Sequence, residues 1–187
     1  MDLCAICAGR DFALAVQAMP TRGIAMTDQK DRSKSLGGSD SPVVLGISKY
    51  KTRRELAQEK LGLLPEQEET APMRRGKALE AIVADLYAEQ TGRIVTARDE
   101  ALVHPRHPFI TGHIDRDVAT GDGMEGVLEI KCPGMAVFGR CKREGLPQEW
   151  VVQLQHYLGL KGASWGSFAV HNSELWELLW FDMKRDD

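Results

Sequence analysis

Apolar side chains recur every three or four residues in two segments of the chain, the spacing that places them on one face of an α-helix. The first predicted helix runs from about Met73 to Gln90, and Gly92 is its stop signal. The second runs from about Gln148 to Lys161. A shorter helix is predicted from Thr52 to Gly62, because Thr52 and Glu55 have the spacing of a capping box.

Shorter apolar runs bounded by turn residues predict strands in the rest of the chain. Three lie in RIVTARDEALVHP (93–105), HPFITGHIDRDVA (107–119) and GVLEIKCP (126–133), and the glycine-rich TGDGMEG (120–126) predicts a hairpin between the last two. Two more are predicted in SWGSFAVH (164–171) and ELLWFDM (177–183). This order of helices and strands predicts an α/β (α+β) fold, with a central mixed β-sheet flanked by helices.

Composition narrows the class of protein. The chain has 187 residues, of which 43% are hydrophobic and 27% charged, values typical of one globular domain. Residues 1–34 are predicted to be a flexible N-terminal extension, and residues 35–187 to form the domain. Its apolar runs are too short to span a membrane, so no membrane partner is expected. Four cysteines in a chain of this size indicate a reducing compartment, and we expect a cytoplasmic protein.

The segment Leu128-Glu129-Ile130-Lys131 carries the first candidate chemistry. Side chains alternate along a strand, so Glu129 and Lys131 share one face while Leu128 and Ile130 face the core. An exposed ion pair on an amphipathic strand would give the same pattern. The predicted hairpin, however, brings Asp115 towards Glu129. Two carboxylates beside a lysine suit a hard divalent cation, which prefers oxygen ligands.

Two predicted helices carry polar residues at the border of their apolar faces. Glu80 is half turned towards the sheet, where it could join the same metal cluster, although a glutamate favoured by the helix dipole is an equally simple interpretation. Gln153 and Tyr157 are four residues apart and share a helix face. They could hydrogen-bond a catalytic lysine or a bound phosphate, or form the polar edge of an amphipathic helix.

Basic residues fall into clusters, although the formal net charge of −3 excludes a protein that coats nucleic acid by bulk charge. The clusters are Lys49, Lys51, Arg53 and Arg54; Arg74, Arg75 and Lys77; and Arg140, Lys142 and Arg143. Such clusters can bind backbone phosphates, and each can also be a solvated surface. The sequence contains no motif for reading base edges, so little sequence specificity is expected.

Taken together, these segments resemble the PD-(D/E)xK nuclease superfamily and, within it, the YqaJ-type viral recombinase and lambda exonuclease group. The resemblance covers about Leu36 to Asp182. GGSDSPVVLGISKYKTRRELAQEKLG is similar to the N-terminal segment of the group, and RGKALE to its helical G-x-x-x-E element. GHIDR resembles its aspartate strand, GVLEIKCP its E-x-K strand, and QLQHYL its Q-x-x-x-Y helix. The resemblance implies a restriction-endonuclease-like core.

The resemblance also implies which residues act at the site. Asp115 and Glu129 would bind Mg²⁺ or Mn²⁺, as one or two ions, with help from the main-chain carbonyl of Ile130. Glu80 would hold a second ion or its waters. Lys131 would orient or deprotonate the attacking water, and Gln153 would brace that lysine. The expected DNA contacts are Ser39, Arg53, Arg54, Arg74, Arg75 and Tyr157.

The activity implied by the group is metal-dependent exonuclease digestion of double-stranded DNA ends, 5′ to 3′, in phage-type recombination with a single-strand annealing protein. A structure- or sequence-selective endonuclease of the same fold is one alternative, and a non-catalytic DNA-binding protein is another. The group also implies a homo-oligomer. After its last predicted strand, however, this chain lacks the further helix of the ring-forming lambda-type enzymes.

Overall fold

A computed structural model of the chain describes residues 32–64 and 68–186. The chain divides into two compact units, Met1–Lys30 and Asp31–Asp187, and the elements below belong to the second. The greater part of the predicted N-terminal extension, residues 1–31, lies outside the described residues.

The helices begin and end close to the capping signals in the sequence. They are α1 (Ser41–Val44), α2 (Arg53–Lys60), α3 (Ala71–Thr91), α4 (Met135–Glu144) and α5 (Gln148–Lys161), with short 3-10 turns at Arg32–Lys34 and Gly38–Asp40. Before α2, Thr52 Oγ1 accepts a hydrogen bond from the Glu55 amide at 3.2 Å, and the Glu55 carboxylate accepts one from the Thr52 amide at 2.7 Å. This confirms the predicted capping box. Gly92 and Gly162 end α3 and α5 with φ of 68° and 71°.

The strands form one mixed sheet and one small hairpin within the part of the chain that the structure describes. They are β1 (Ile94–Ala97), β2 (Leu102–Val103), β3 (Thr111–Gly112), β4 (Arg116–Ala119), β5 (Glu125–Lys131), β6 (Trp165–Asn172) and β7 (Glu177–Lys184). The five-stranded sheet has the order β1-β4-β5-β6-β7, and β2 pairs with β3. Only β5 and β6 are parallel in this sheet. The predicted mixed sheet and the hairpin between β4 and β5 are confirmed.

Hydrophobic clusters on both faces of the sheet place β5 at the centre of the molecule. One cluster joins Val127 and Phe168 to Phe138 of α4 and Leu154 of α5. The other packs α3 against the opposite face, and its members include Val83, Ala84, Tyr87, Leu128 and Ile130. Between Glu125 and Lys131, β5 is therefore buried on both sides and is held rigidly. No helix among the described residues has the length and apolar character needed to cross a bilayer.

The structure differs from the predicted elements in two places. The segments 93–105 and 107–119 each contain two short strands, because the charged residues Arg98, Asp99 and Glu100 interrupt the first and Pro108 lacks an amide donor in the second. Helix α4 was not predicted. It buries only Phe138 and Cys141, which is too few apolar positions to produce a visible helical period.

Candidate active site

Asp115 and Glu129 are brought together by the β4–β5 hairpin. Arg116 lies opposite Leu128 in the register of the two strands, so the preceding Asp115 comes beside Glu129. Asp115 Oδ2 accepts a hydrogen bond from the amide of Ile130 at 2.7 Å, which fixes this carboxylate against β5. Leu128 and Ile130 pack into the cluster under α3, while Glu129 lies on the opposite face of the strand.

The surroundings of both carboxylates favour their protonated forms when no cation is bound. Burial, and then repulsion from Glu129, raises the pKa of Asp115 to about 7. Glu129 is only 2% exposed, and burial raises its pKa as well. Two carboxylates that lie close together with little water around them are poorly stabilised as anions. A bound cation would compensate both charges.

Lys131 lies on the same face of β5 as Glu129 and is hydrogen-bonded to it. Lys131 Nζ donates to Glu129 Oε1 at 2.7 Å and to Gln153 Oε1 at 3.1 Å. Burial by itself would lower the pKa of the lysine, but attraction to Glu129 outweighs it, and the pKa lies above its ordinary value. The ammonium is therefore charged. A lysine has three N–H donors, and these contacts use two of them.

Gln153 links the strand residues to α5. Its amide nitrogen donates to Glu129 Oε1 at 2.7 Å and to the Tyr157 hydroxyl at 3.1 Å. The Tyr157 ring fits only because two neighbouring positions have no side chain: an added Cβ would lie 2.5 Å from this ring at Gly38 and 2.8 Å from it at Gly112. Gly38 in the opening segment and Gly112 in β3 thus allow close packing around the tyrosine that supports Gln153.

The donor set around Asp115 and Glu129 fits a hard divalent cation. Glu129 Oε2 is buried and has no hydrogen-bond partner among the described residues, so one carboxylate oxygen is available for a further ligand. The carboxylates and the predicted main-chain carbonyl of Ile130 are oxygen donors, which Mg²⁺ and Mn²⁺ prefer. Within residues 32–64 and 68–186, no group of three or more His, Cys, Asp or Glu side chains could hold a metal ion. Two carboxylates, completed by water, are thus what this site offers.

Glu80 is close to these groups but is bonded to an arginine. Its Oε1 accepts a hydrogen bond from Arg116 Nη1, which also donates to the main-chain oxygen of Asp115. The charge of Glu80 still contributes to raising the pKa of Asp115 and Glu129, after the larger effect of burial. The structure therefore places Glu80 beside the carboxylate pair, with its charge balanced by Arg116 rather than directed to a cluster of three acids.

The residues of the opening segment that were expected to contact DNA lie at the surface. Ser39 is exposed and follows Gly38, which packs on the Tyr157 ring. Arg53 and Arg54, in the first turn of α2, are exposed as well. Arg53 Nε donates to the main-chain oxygen of Val44 at 2.8 Å, which directs this side chain back towards α1.

The other expected DNA contacts differ in exposure. Arg74 is exposed and donates to the main-chain oxygen of Glu69 at 2.7 Å. Arg75 is half-buried: its Nη2 lies 3.5 Å from the main-chain oxygen of Cys132, and its buried Nε has no partner among the described residues. Tyr157 is only 5% exposed, so its role as a direct DNA contact conflicts with its position in the core. Its hydroxyl supports Gln153 instead.

Arg116 is the residue at this site that the sequence reasoning missed. Its contacts with Glu80 and with the main chain of Asp115 join α3 to the start of β4. A signal was present in the segment GHIDR. Because neighbouring side chains on a strand point to opposite faces, the residue after Asp115 had to point towards the face that α3 covers.

Comparisons with known proteins give consistent results. The family described as "YqaJ-like viral recombinase domain" matches residues 29–164. The protein YqaJ of Bacillus subtilis (strain 168) is 33% identical over 160 residues, which cover 84% of this chain and 49% of that protein. The chain thus spans about half the length of the curated relative that it matches.

Solved structures give the same result for the fold. The crystal structure of an alkaline exonuclease (LHK-Exo) from Laribacter hongkongensis superposes with a TM-score of 0.70 at 26% identity, covering 83% of this chain and 80% of that one. The same exonuclease in complex with dAMP gives a TM-score of 0.69 at 26% identity, with the same coverage of both chains. The restriction-endonuclease-like architecture expected from the sequence is therefore that of a solved exonuclease.

Proposed function

Because the chain belongs to the family of YqaJ-like viral recombinase domains, we propose that it is a metal-dependent DNA exonuclease that hydrolyses phosphodiester bonds from duplex ends. The observation that carries the proposal is the buried, unpartnered Oε2 of Glu129, beside Asp115 and the charged Lys131. The fold shared with an alkaline exonuclease, also solved with dAMP, supports a nucleic-acid substrate.

Asp115 and Glu129 would hold the metal ion, with the Ile130 carbonyl as a further ligand. When bound, Mg²⁺ or Mn²⁺ supplies positive charge to the phosphate in the transition state and acidifies a coordinated water. The hydrogen bond from Ile130 holds Asp115 in position without occupying its second oxygen. Burial keeps bulk water away from Glu129, which strengthens its attraction for a cation.

Lys131 would orient the attacking water. Glu129 and Gln153 take two of its N–H donors, and the third can hydrogen-bond a water oxygen or a phosphate oxygen. Gln153 acts as a positioning residue, because its amide nitrogen is bonded to Glu129 and its oxygen to Lys131. Nucleophile and phosphate are then aligned by groups on one rigid strand and one helix.

DNA would reach this site between the basic clusters. Arg53 and Arg54 lie at the start of α2, and Arg74 and Arg75 lie near the start of α3. Contacts to phosphates by these arginines and by Ser39 would hold a duplex end with little sequence preference. Arg75 is the closest of them to the carboxylates, through its contact with Cys132 next to Lys131.

The remaining features of the proposal rest on the group resemblance. They are digestion from 5′ to 3′, action with a single-strand annealing protein in phage-type recombination, assembly into a homo-oligomer, and a cytoplasmic location. The free thiols Cys132 and Cys141 are compatible with a reducing compartment.

Digestion of labelled DNA tests the proposal. Linear duplexes carrying a label at the 5′ or the 3′ end, and a covalently closed circle, are incubated with the full chain in Mg²⁺ or in chelator. We expect degradation of linear DNA in Mg²⁺ only, early release of the 5′ label, and an intact circle. Cleavage of the circle would establish an endonuclease instead. No degradation of any substrate would leave a non-catalytic DNA-binding protein.

A further inference from the structure

Arg116 is held at both ends of its contact with the acidic site. Its Nη1 atom donates to the carboxylate of Glu80 on α3 and to the main-chain oxygen of Asp115. The Arg116 side chain is 16% exposed and that of Glu80 is 32% exposed, so this ion pair is partly shielded from water. An arginine is charged at all accessible pH values, and its planar group suits a carboxylate.

This contact decides what Glu80 can do. A carboxylate that already binds a guanidinium must lose that interaction before it can coordinate an ion. Among the described residues, no three acidic, histidine or cysteine side chains form a group able to hold a metal. In contrast, the Oε2 atom of Glu129 is buried without a partner and is available at once. The site therefore offers one prepared position for an ion, between Asp115 and Glu129.

The geometry points to a one-metal site, in which Arg116 is a permanent cation bonded to Glu80 in the place of a second ion. This inference rests on the proposed metal-dependent function and specifies how many ions it uses.

The balance of charge agrees with a single ion. Glu80, Asp115 and Glu129 carry three negative charges when ionised, and the two cations bonded to them are Arg116 and Lys131. One divalent ion would leave the cluster with a single positive charge, which a phosphodiester neutralises. A second divalent ion would have to lie near the guanidinium, and the two like charges would repel in a partly buried position.

Calorimetric titration of the metal-free full chain with Mn²⁺ tests the number of ions. We expect one ion per chain in the wild type, the same stoichiometry in Glu80→Gln, and no binding in Asp115→Asn. Two ions in the wild type, with one lost in Glu80→Gln, would overturn the inference and leave the proposed metal-dependent function in place. No binding by the folded wild type would contradict the proposed function itself.

Arg116 is tested by removing its charge. In Arg116→Ala, Glu80 is released, and we expect a second, weaker Mn²⁺ site that disappears in the double variant Arg116→Ala/Glu80→Gln. Arg116→Lys keeps the charge and should bind a single ion. An unchanged stoichiometry of one in Arg116→Ala would overturn the role given to the arginine. Thermal unfolding of each variant shows that the titrated protein is folded.

Discussion

The Nζ atom of Lys131 lies 2.7 Å from Oε1 of Glu129, and both side chains project from the same face of β5. Glu129 is almost completely buried, so the lysine is the nearest compensation for its charge. The pair is therefore part of the stability of the protein and part of its proposed chemistry. Changes at either residue have to be read in both respects.

Removing Lys131 should abolish DNA digestion and also destabilise the protein. In Lys131→Met, Glu129 remains buried without its cation, and such a loss costs about 3–5 kcal/mol of unfolding free energy. The double variant Glu129→Gln/Lys131→Met should be more stable than Lys131→Met, although it is equally inactive. Chemical unfolding and digestion of end-labelled duplex measure the two effects. Additive losses of stability would contradict the buried pair.

Gln153 should affect the rate and not the binding of DNA. Gln153→Leu removes the hydrogen bonds to Glu129 and Lys131, and loss of such a positioning contact reduces activity about 10–100-fold. Gln155→Leu is the matched control, since Gln155 lies on the same helix but bonds to the main-chain oxygen of Lys184 at 2.8 Å. Single-turnover digestion and DNA-binding titrations separate the two parameters. Equal losses in both variants would argue against a specific role of Gln153.

The stability of the metal-free protein should fall as the pH rises from about 4 to about 7. The pKa of Asp115 is about 7 in the folded chain, above its ordinary value of 3.8, so the folded state binds a proton more tightly than the unfolded state does. Its contribution is complete below the ordinary pKa and is lost as the pH rises through 7. Unfolding in chelator at a series of pH values measures this slope, which should be shallower in Asp115→Asn.

Divalent ions should reverse this loss of stability. Below pH 7 an ion must displace the proton of Asp115, and above pH 7 it meets an ionised pair. The rise in melting temperature on adding Mg²⁺ should therefore be larger at pH 8 than at pH 6, and Asp115→Asn should show neither rise. A stabilisation that is the same at both pH values would place the bound ion away from Asp115.

The adjacent glycines of the opening segment should respond differently to alanine. An added Cβ at Gly38 would lie 2.5 Å from the Tyr157 ring, whereas at Gly37 the nearest atom is Asp40 Oδ2 at 3.9 Å. Gly38→Ala should lower the unfolding free energy by about 1–3 kcal/mol, the usual cost of overpacking. It should also slow digestion, because Tyr157 supports Gln153. Gly37→Ala should be close to wild type in both measurements, and a similar loss there would contradict this packing.

Local patterns in the sequence were sufficient for the centre of the candidate site. The turn between β4 and β5 and the alternation along β5 predict that Asp115 and Glu129 meet, because both depend on short-range geometry. The contact of Glu80 with Arg116 depends on how α3 lies across the sheet, which no local pattern specifies. The burial of Tyr157 has the same origin, since it requires Gly38 and Gly112 to pack against one ring. Contacts between distant segments thus account for most of what was missed.

Both acidic groups of the site belong to one hairpin, whose turn is closed by a 3.1 Å bond from the Thr120 amide to the main-chain oxygen of Met124. Closing so short a loop costs little entropy, so the acidic pair can assemble early in folding. Gln153 follows later in the chain and leaves the ribosome after the hairpin. During synthesis, therefore, the nascent protein carries the repelling carboxylates before α5 can support them, and cellular magnesium would be available to them from that moment.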